Sequence, residues 1–424
     1  MDQMSTERPR VLLIGSGAQV YREYLLKQTA EHAELWLLEP DPPTWQRPYL
    51  VGSSTANTFS PAETVTAVRR LAAEQRIDAV FCYHEGMIVA AAAAAQALGL
   101  PGPSVEAVTA CRDKARTREL LAGAGVAQPG FALVDDDFDI AQLAQAIPPP
   151  WVIKPRSLGA SQGVIKVDQP ADFAEGLRIT RSARQAGMPT DDVVLVEEYV
   201  EGGEITVDGY FDGQDFVPLY ITRKRLNKAP YFEEMGHTLS GDDEYLTDAS
   251  LLELMAAAHV ALGFRNAISH TEVRITSAGF RLIEVNGRMA GDLVSILVER
   301  AMNYNSAWYA LELALGRNPG RPAPTGRCCG IRFLRPDEPC VVDSIRFDAE
   351  RARAAGLADV SFQPMVQPGT ELWLPPDNYV ARYALLIADG DSAEECNQKL
   401  DVASELVELA SHPIGQPAAA ASAR

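Results

Sequence analysis

The 424-residue chain has no apolar run long enough to span a bilayer. Its most apolar stretch, Met87 to Leu100, is short and Ala-rich, below the ~18 consecutive apolar residues that mark a membrane span, and reads as a buried helix. Basic charge is also scarce: 38 Lys and Arg stand against 57 Asp and Glu, a formal net charge of −19. Phosphate neutralisation on nucleic acid, or attraction to an anionic membrane surface, needs the opposite balance, so neither partner is expected. The six cysteines, at 82, 111, 328, 329, 340 and 396, include no C-x-x-C pair and no His at zinc spacing. Free thiols in a reducing cytoplasm are expected, with Cys328-Cys329 as two small buried residues of a strand. There is no Gly-Lys dipeptide, which excludes a Walker A loop. No apolar leader precedes Val11, so nothing marks export and a cytoplasmic location is expected.

What is present supports a large folded chain. At ~100–200 residues per domain the length predicts about two to four domains, and 47% hydrophobic residues suffice for several cores. From Val11 to about Val105, short apolar runs (Val11 to Ile14, Leu35 to Leu38, Ala79 to Cys82) alternate with helical patterns, as in parallel βαβ units. The turn Gly15-Ser16-Gly17 resembles the start of a dinucleotide fingerprint, but Val20 stands where the third glycine belongs, so a tight βα turn is the better reading. Hairpin-like strands follow to Gly316. The breaker-rich segment from Gly316 to Pro324 reads as a boundary linker. Beyond it come strands near Gly330 and from Tyr379 to Ala388, a helix from about Ala393 to Leu409, and a disordered tail, residues 413–424.

Three segments carry chemistry. In the first, Gly159 to Gly163 fits G-x-S-x-G, but Val164-Ile165-Lys166-Val167 continues as a strand where a nucleophile elbow needs a helix. A flexible Gly and Ser hairpin remains, able to wrap backbone N–H groups around phosphate with Lys154 at its base. In the second, strands around Glu272 and Glu284 are joined by Thr276-Ser277-Ala278-Gly279. With Ala278 as the turn centre the two carboxylates oppose each other at roughly 4.5–5.5 Å between Cβ atoms, where like charges repel unless a cation lies between them. Period two adds Asn286 to that face, giving the oxygen set that Mg²⁺ prefers, with Arg288 at the strand end. The third, Val193 to Phe211, reads by itself as any acidic hairpin; in company with a phosphate loop and a metal hairpin it offers backbone groups for a purine and a carboxylate for ribose hydroxyls.

Lys114 in Cys111 to Arg118, Lys154 with the Ser157 to Gly163 loop, Glu197-Glu198-Tyr199-Val200 with Glu204, and Glu272, Glu284, Asn286 and Arg288 resemble the ATP-grasp carboxylate–amine ligases. Thr222 to Arg225 and Glu234 to Thr238 are similar to the L-amino acid ligases that make dipeptides. The resemblance implies a multidomain α/β and α+β fold: an N-terminal βαβ (Rossmann-like) domain over residues 1–105, a small ATP-grasp subdomain with the glycine loop (106–188), a large one with the metal site (189–318), and a C-terminal α+β, β-rich domain (328–412). It implies an acyl-phosphate route to an amide between two amino acids, with ATP and Mg²⁺, or Mn²⁺ in its place. In that scheme Lys114, Lys154, Ser157, Gly159, Ser161 and Gly163 hold phosphates, Glu197 and Val200 hold adenine, and Glu204 holds ribose. Glu272, Glu284 and Asn286 hold the metal, and Arg288 clamps the acyl phosphate. Arg223 and His237 are assigned to the same pocket, with a structural histidine the other reading of His237. Asp292 is read either as a contact for a substrate ammonium or as a helix-start residue. A non-amino-acid amine or bicarbonate as acceptor, a nucleotide-binding protein without catalysis, and a homodimer stay open.

Overall fold

The computed structural model describes residues 8–185, 187–189 and 192–415. The N-terminal region is a parallel sheet of four strands in the order Gly52–Thr55, Glu34–Glu39, Arg10–Ile14, Ala79–Phe81. Its first strand is apolar throughout because both faces are covered. Val11 and Leu13 pack with Leu25 and Leu26 of helix Gln19–His32, while Leu12 and Ile14 pack with Ala91 and Ala94 of helix Ile88–Leu98. That Ala-rich helix is buried as expected. Gly15 ends the first strand at φ +72°, where a Cβ would lie 2.2 Å from Met87 Sδ, so the turn there needs glycine.

Four antiparallel and mixed-order strands form a second sheet, in the order Phe131–Val134, Val194–Glu198, Trp151–Lys154, Ile165–Val167, over a core around the fully buried Trp151 and Phe173. A boundary at residue 189 therefore misplaces strand Val194–Glu198, whose backbone hydrogen bonds go to the smaller sheet. The third sheet is antiparallel with eight strands: Gly279–Asn286, Ser269–Thr276, Gly203–Phe211, Phe216–Leu226, Glu234–Ser240, Cys328–Leu334, Ala384–Gly390, Ser361–Pro364. The segment 316–324 thus joins strands of one continuous sheet rather than two separately built domains, since Cys328–Leu334 pairs directly with Glu234–Ser240. Cys328 and Cys329 are buried in that strand, and all six thiols are free.

The expected helix from 393 to 409 stops at Ser404, and Val407–Pro413 is a strand paired with Cys340–Phe347. Val407 and Leu409 alternate with exposed Glu408 and Ala410, a period of two that a helical reading overlooks. Pro413 ends this strand, so a tail beginning there starts too early; residues 416–424 lie outside the described ones. No helix among the described residues is long and apolar enough to cross a membrane.

Candidate active site

The central cavity, about 390 Å³, opens between the glycine hairpin, the eight-stranded sheet and the carboxyl end of the N-terminal sheet. Asp113 caps helix Lys114–Gly123 by accepting from the Ala115 and Arg116 N–H groups, and its other oxygen accepts from Arg156 at 2.6 Å. This ties the base of the glycine hairpin to the helix start and aims Lys114 into the cavity, where its Nζ donates to the Leu158 carbonyl at 2.6 Å. In the hairpin itself, Ala160 and Ser161 adopt left-handed backbone, with φ 53° and 56°.

Glu272 and Glu284 are directly opposed, as expected, but by another route. Thr276 pairs with Gly279, so the turn is Ser277-Ala278, and a bulge at Glu272/Val273 shifts the ladder by one residue to bring Glu284 opposite Glu272. Each carboxylate meets an ammonium: Lys114 lies 3.1 Å from Glu284, and Lys224 lies 3.0 Å from Glu272. Lys224 also reaches Glu204 at 2.8 Å and Glu234 at 2.7 Å. Burial disfavours its charge, but the three carboxylates outweigh burial and hold Lys224 well above the usual lysine range. At the other end, buried Glu197 accepts from Lys154 and Arg118, both at 2.6 Å. Arg288 is bonded to Glu85, which also pairs with Arg112 at 2.6 Å. Burial opposes ionisation of Glu85, yet Arg288 and Arg112 prevail and bring its pKa down to about 2.

The loop bearing Arg288 is held from below. Asp208, fully buried, accepts from the Ala290 N–H at 3.1 Å, from His270 Nδ1 at 2.8 Å and from the Tyr220 hydroxyl at 3.1 Å. Beyond it, Asp292 takes a bidentate pair of hydrogen bonds from Arg382, at 2.7 and 2.8 Å. His237 Nε2 lies 3.4 Å from Glu234 and 3.5 Å from Asp292. Burial works against its charge, but hydrogen bonds to Asp292 and Glu234 raise its pKa to about 9, so the ring is an imidazolium at neutral pH. Glu234, His237 and Asp292 are spaced to hold a metal ion, but Lys224 and Arg382 already neutralise their carboxylates.

Of the residues named from sequence, Lys114, Lys154, Gly159, Ser161, Glu197 and Val200 line the cavity. So do Glu204, Glu272, Glu284, Asn286, Arg288, His237 and Asp292. Three do not. Ser157 contributes its carbonyl to Arg112 outside the cavity. Gly163, at φ +72°, is packed so that a Cβ would lie 2.6 Å from Ala183 Cβ, and it shapes the turn instead of facing the cavity. Arg223 points to the opposite sheet face, where it pairs with Asp243 at 3.1 Å and covers the Tyr245 ring. Its ladder partner Ile205 and its period-two neighbour Ile221 belong to the core on that face, so Lys224 is the residue that enters the site. Asp292 is not a helix cap either: helix Val294–Met302 starts after Leu293, without a side-chain cap. Sequence reading missed Glu85, Asp208 and Arg382, and within Thr222 to Arg225 it took Arg223 where Lys224 enters the site. Only Glu85 had a local signal, its place just past the carboxyl end of strand Ala79–Phe81, where open α/β sheets bind ligands.

A glycine hairpin on one sheet, opposed carboxylates on another and lysines between them define the ATP-grasp architecture. Residues 147–296 match the ATP-grasp domain family. Over 96% of its length it superposes on the whole chain of an L-amino acid ligase from Bacillus licheniformis, with TM-score 0.79 and 20% identity. Among curated relatives, carnosine synthase 1 of Homo sapiens is 24% identical over 77% of this chain and 42% of its own. A D-alanine–D-alanine ligase of Syntrophotalea carbinolica is 30% identical over 48% of this chain and 64% of its own. The chain thus spans less than two thirds of the length of these curated relatives.

Proposed function

We propose that the protein is an ATP-dependent ligase that joins two amino acids through an acyl phosphate. The observation that carries this is one cavity holding the Glu272, Glu284 and Asn286 face, the glycine hairpin with Lys154, and Arg288. In the first step a substrate carboxylate oxygen attacks the γ-phosphorus of ATP, the bridging bond to the β-phosphate breaks, and ADP departs. In the second an amine nitrogen attacks the acyl carbon, phosphate leaves with the electron pair of the broken C–O bond, and the nitrogen loses its proton. Phosphoryl transfer of this kind depends on positioning and on neutralising charge. Lys154 and Lys114 are buried ammonium groups whose partners are site carboxylates, so a triphosphate can take them over without drawing cations from solvent. Glu197 and the Val200 backbone are assigned to adenine and Glu204 to ribose.

Two carboxylates and an amide oxygen on two paired strands, all lining one cavity, fit a divalent cation, since the like charges already require cationic neighbours in this structure. Glu272, Glu284 and Asn286 would hold Mg²⁺, or Mn²⁺ in its place, which supplies charge neutralisation at the phosphates. Arg288 presents a permanently charged planar donor to the acyl phosphate, with Glu85 and Asp208 fixing its side chain and its loop. His237, Asp292, Glu234 and Arg382 form the wall beyond it and are assigned to the amino acid substrates. A screen of amino acid pairs for ATP-dependent phosphate release, with mass detection of the product, tests this reading. Release without added amino acids, or a product lacking an amide, overturns it.

A further inference from the structure

One charge in the cavity is left unanswered. Among the described lining residues, the other lysines and arginines each have a carboxylate within ion-pair distance, as given above for Lys114, Lys154, Lys224, Arg288 and Arg382, with Arg274 at 2.9 Å from Glu204. Arg22 has none, and its buried Nη1 has no hydrogen-bond partner. A buried donor without a partner is costly, more so on a charged group, so an unanswered guanidinium is a place where a ligand group belongs. Arg22 lies in the first turn of helix Gln19–His32, held over the Tyr83 ring at 5.2 Å. The helix has no side-chain cap, and Gly17 and Ala18 at its start line the same part of the cavity, so uncapped backbone N–H groups accompany the guanidinium. Across from it is the loop after Arg288: a Cβ on Gly291 would sit 3.8 Å from Arg22 Nη2.

We propose that Arg22 and the start of helix Gln19–His32 anchor the free carboxylate of the amine-donating substrate, so that the acceptor is an α-amino acid and not a simple amine or bicarbonate. The inference rests on the ligase reading and sharpens it. A single unpaired guanidinium matches a single carboxylate, and its position beside the Arg288 loop brings an amine one carbon from that carboxylate toward the acyl carbon. The phosphate candidates, Lys114 and Lys154, belong to the glycine-hairpin side instead. Gly17 leaves room beside Arg22, since a Cβ there would sit 3.0 Å from Arg22 Cγ, closer than ordinary contact.

The experiment compares wild type, R22Q and R22K with each of the twenty proteinogenic amino acids as carboxyl donor. The nucleophile is hydroxylamine, a proteinogenic amino acid, or that amino acid's α-carboxamide. The expected result is hydroxamate formation at wild-type rate in R22Q, with KM for amino acid acceptors raised about tenfold or more, partial recovery in R22K, and no change for carboxamide acceptors. Wild-type enzyme that uses a carboxamide as well as the free amino acid overturns the inference, as does R22Q with unchanged acceptor KM. Loss of hydroxamate formation in R22Q moves Arg22 to the activation step and also overturns it. Absence of hydroxamate from wild type with every donor removes the ligase reading and this inference together.

Discussion

The carboxylate hairpin and the N-terminal wall line one cavity, yet their charges stand in opposite conditions. On the hairpin side, Glu272, Glu284 and Glu204 are all answered by Lys224, Lys114 and Arg274. On the N-terminal side, Glu85 is doubly paired while Arg22 has a ring beneath it but no carboxylate partner among the described residues. The first side is neutral within itself and can exchange its internal partners for phosphates and a metal ion. The second is poised for a ligand that brings its own negative charge. On the proposed reading, a cavity lined this way separates the end assigned to the nucleotide from the end assigned to an organic anion.

The largest break in this comparison comes from the hairpin. Glu284→Ala removes one of two opposed carboxylates, and kcat for phosphate release is expected to fall at least about 10²-fold, the scale for losing one electrostatic stabiliser of a transition state. Circular dichroism should show the fold intact, because Lys114 keeps its hydrogen bond to the Leu158 carbonyl. Normal turnover in this variant refutes the metal assignment.

Next is Lys224→Met, which leaves Glu204, Glu234 and Glu272 facing one another without their shared cation. Removing one partner of a buried ionic cluster costs roughly 3–5 kcal/mol, so the denaturation midpoint should drop sharply. A midpoint equal to wild type means that the hairpin side is not held together by its internal pairs.

How far this site could be read from the sequence follows the same division. The hairpin was legible because Glu272, Glu284 and Asn286 lie within fifteen residues of one another, and strand periodicity puts Glu284 and Asn286 on one face. Even there, the pairing of Glu272 with Glu284 depended on a bulge that stood in for a turn centre placed half a residue off. Arg223 against Lys224 was a choice between two faces of a strand with apolar residues on both, Leu219 and Ile221 on one parity and Tyr220 on the other, and only the ladder partners decide it. Arg22, Glu85 and Arg382 come from elements hundreds of residues apart in part, so no local spacing marks them. The strand Val407–Pro413 was misread as helix because its short alternation directly continues a true helix.

A smaller effect probes the wall between the two regions. Asp292 has φ +48°, a conformation that Asn also tolerates, so Asp292→Asn removes charge with little backbone strain. His237 then loses one of the two carboxylates that hold its pKa at about 9, and the pKa should move toward the unperturbed ~6.5, read by NMR titration of the ring. The sign for stability follows from a folded pKa raised above the unfolded one. His237 contributes fully below pH ~6.5, and its contribution is lost as pH rises through about 9. In Asp292→Asn that alkaline loss should begin at lower pH. If the amino acid preference of the variant also stays unchanged across a panel of donors, Asp292 does not set specificity.

The smallest effect belongs to the residue that sequence reading placed in the site and the structure turns away from it. Arg223 is 40% exposed at its side chain and pairs with Asp243 and Glu244 on the outer face of the sheet. The exposed pair with Glu244 contributes about 0–1 kcal/mol, and buried Asp243 keeps the Tyr245 N–H as a donor, so Arg223→Ala should lower the denaturation midpoint modestly and leave kcat and KM for both substrates where they were. Set beside Lys224→Met, one residue further along the same strand, it isolates what facing the cavity means: the two side chains share a strand, a charge and a neighbourhood in sequence, and differ in the face they present. A tenfold loss of kcat/KM in Arg223→Ala would show that the outer face of this strand takes part in the chemistry and would undo the assignment of Lys224 as its cationic partner in the cavity.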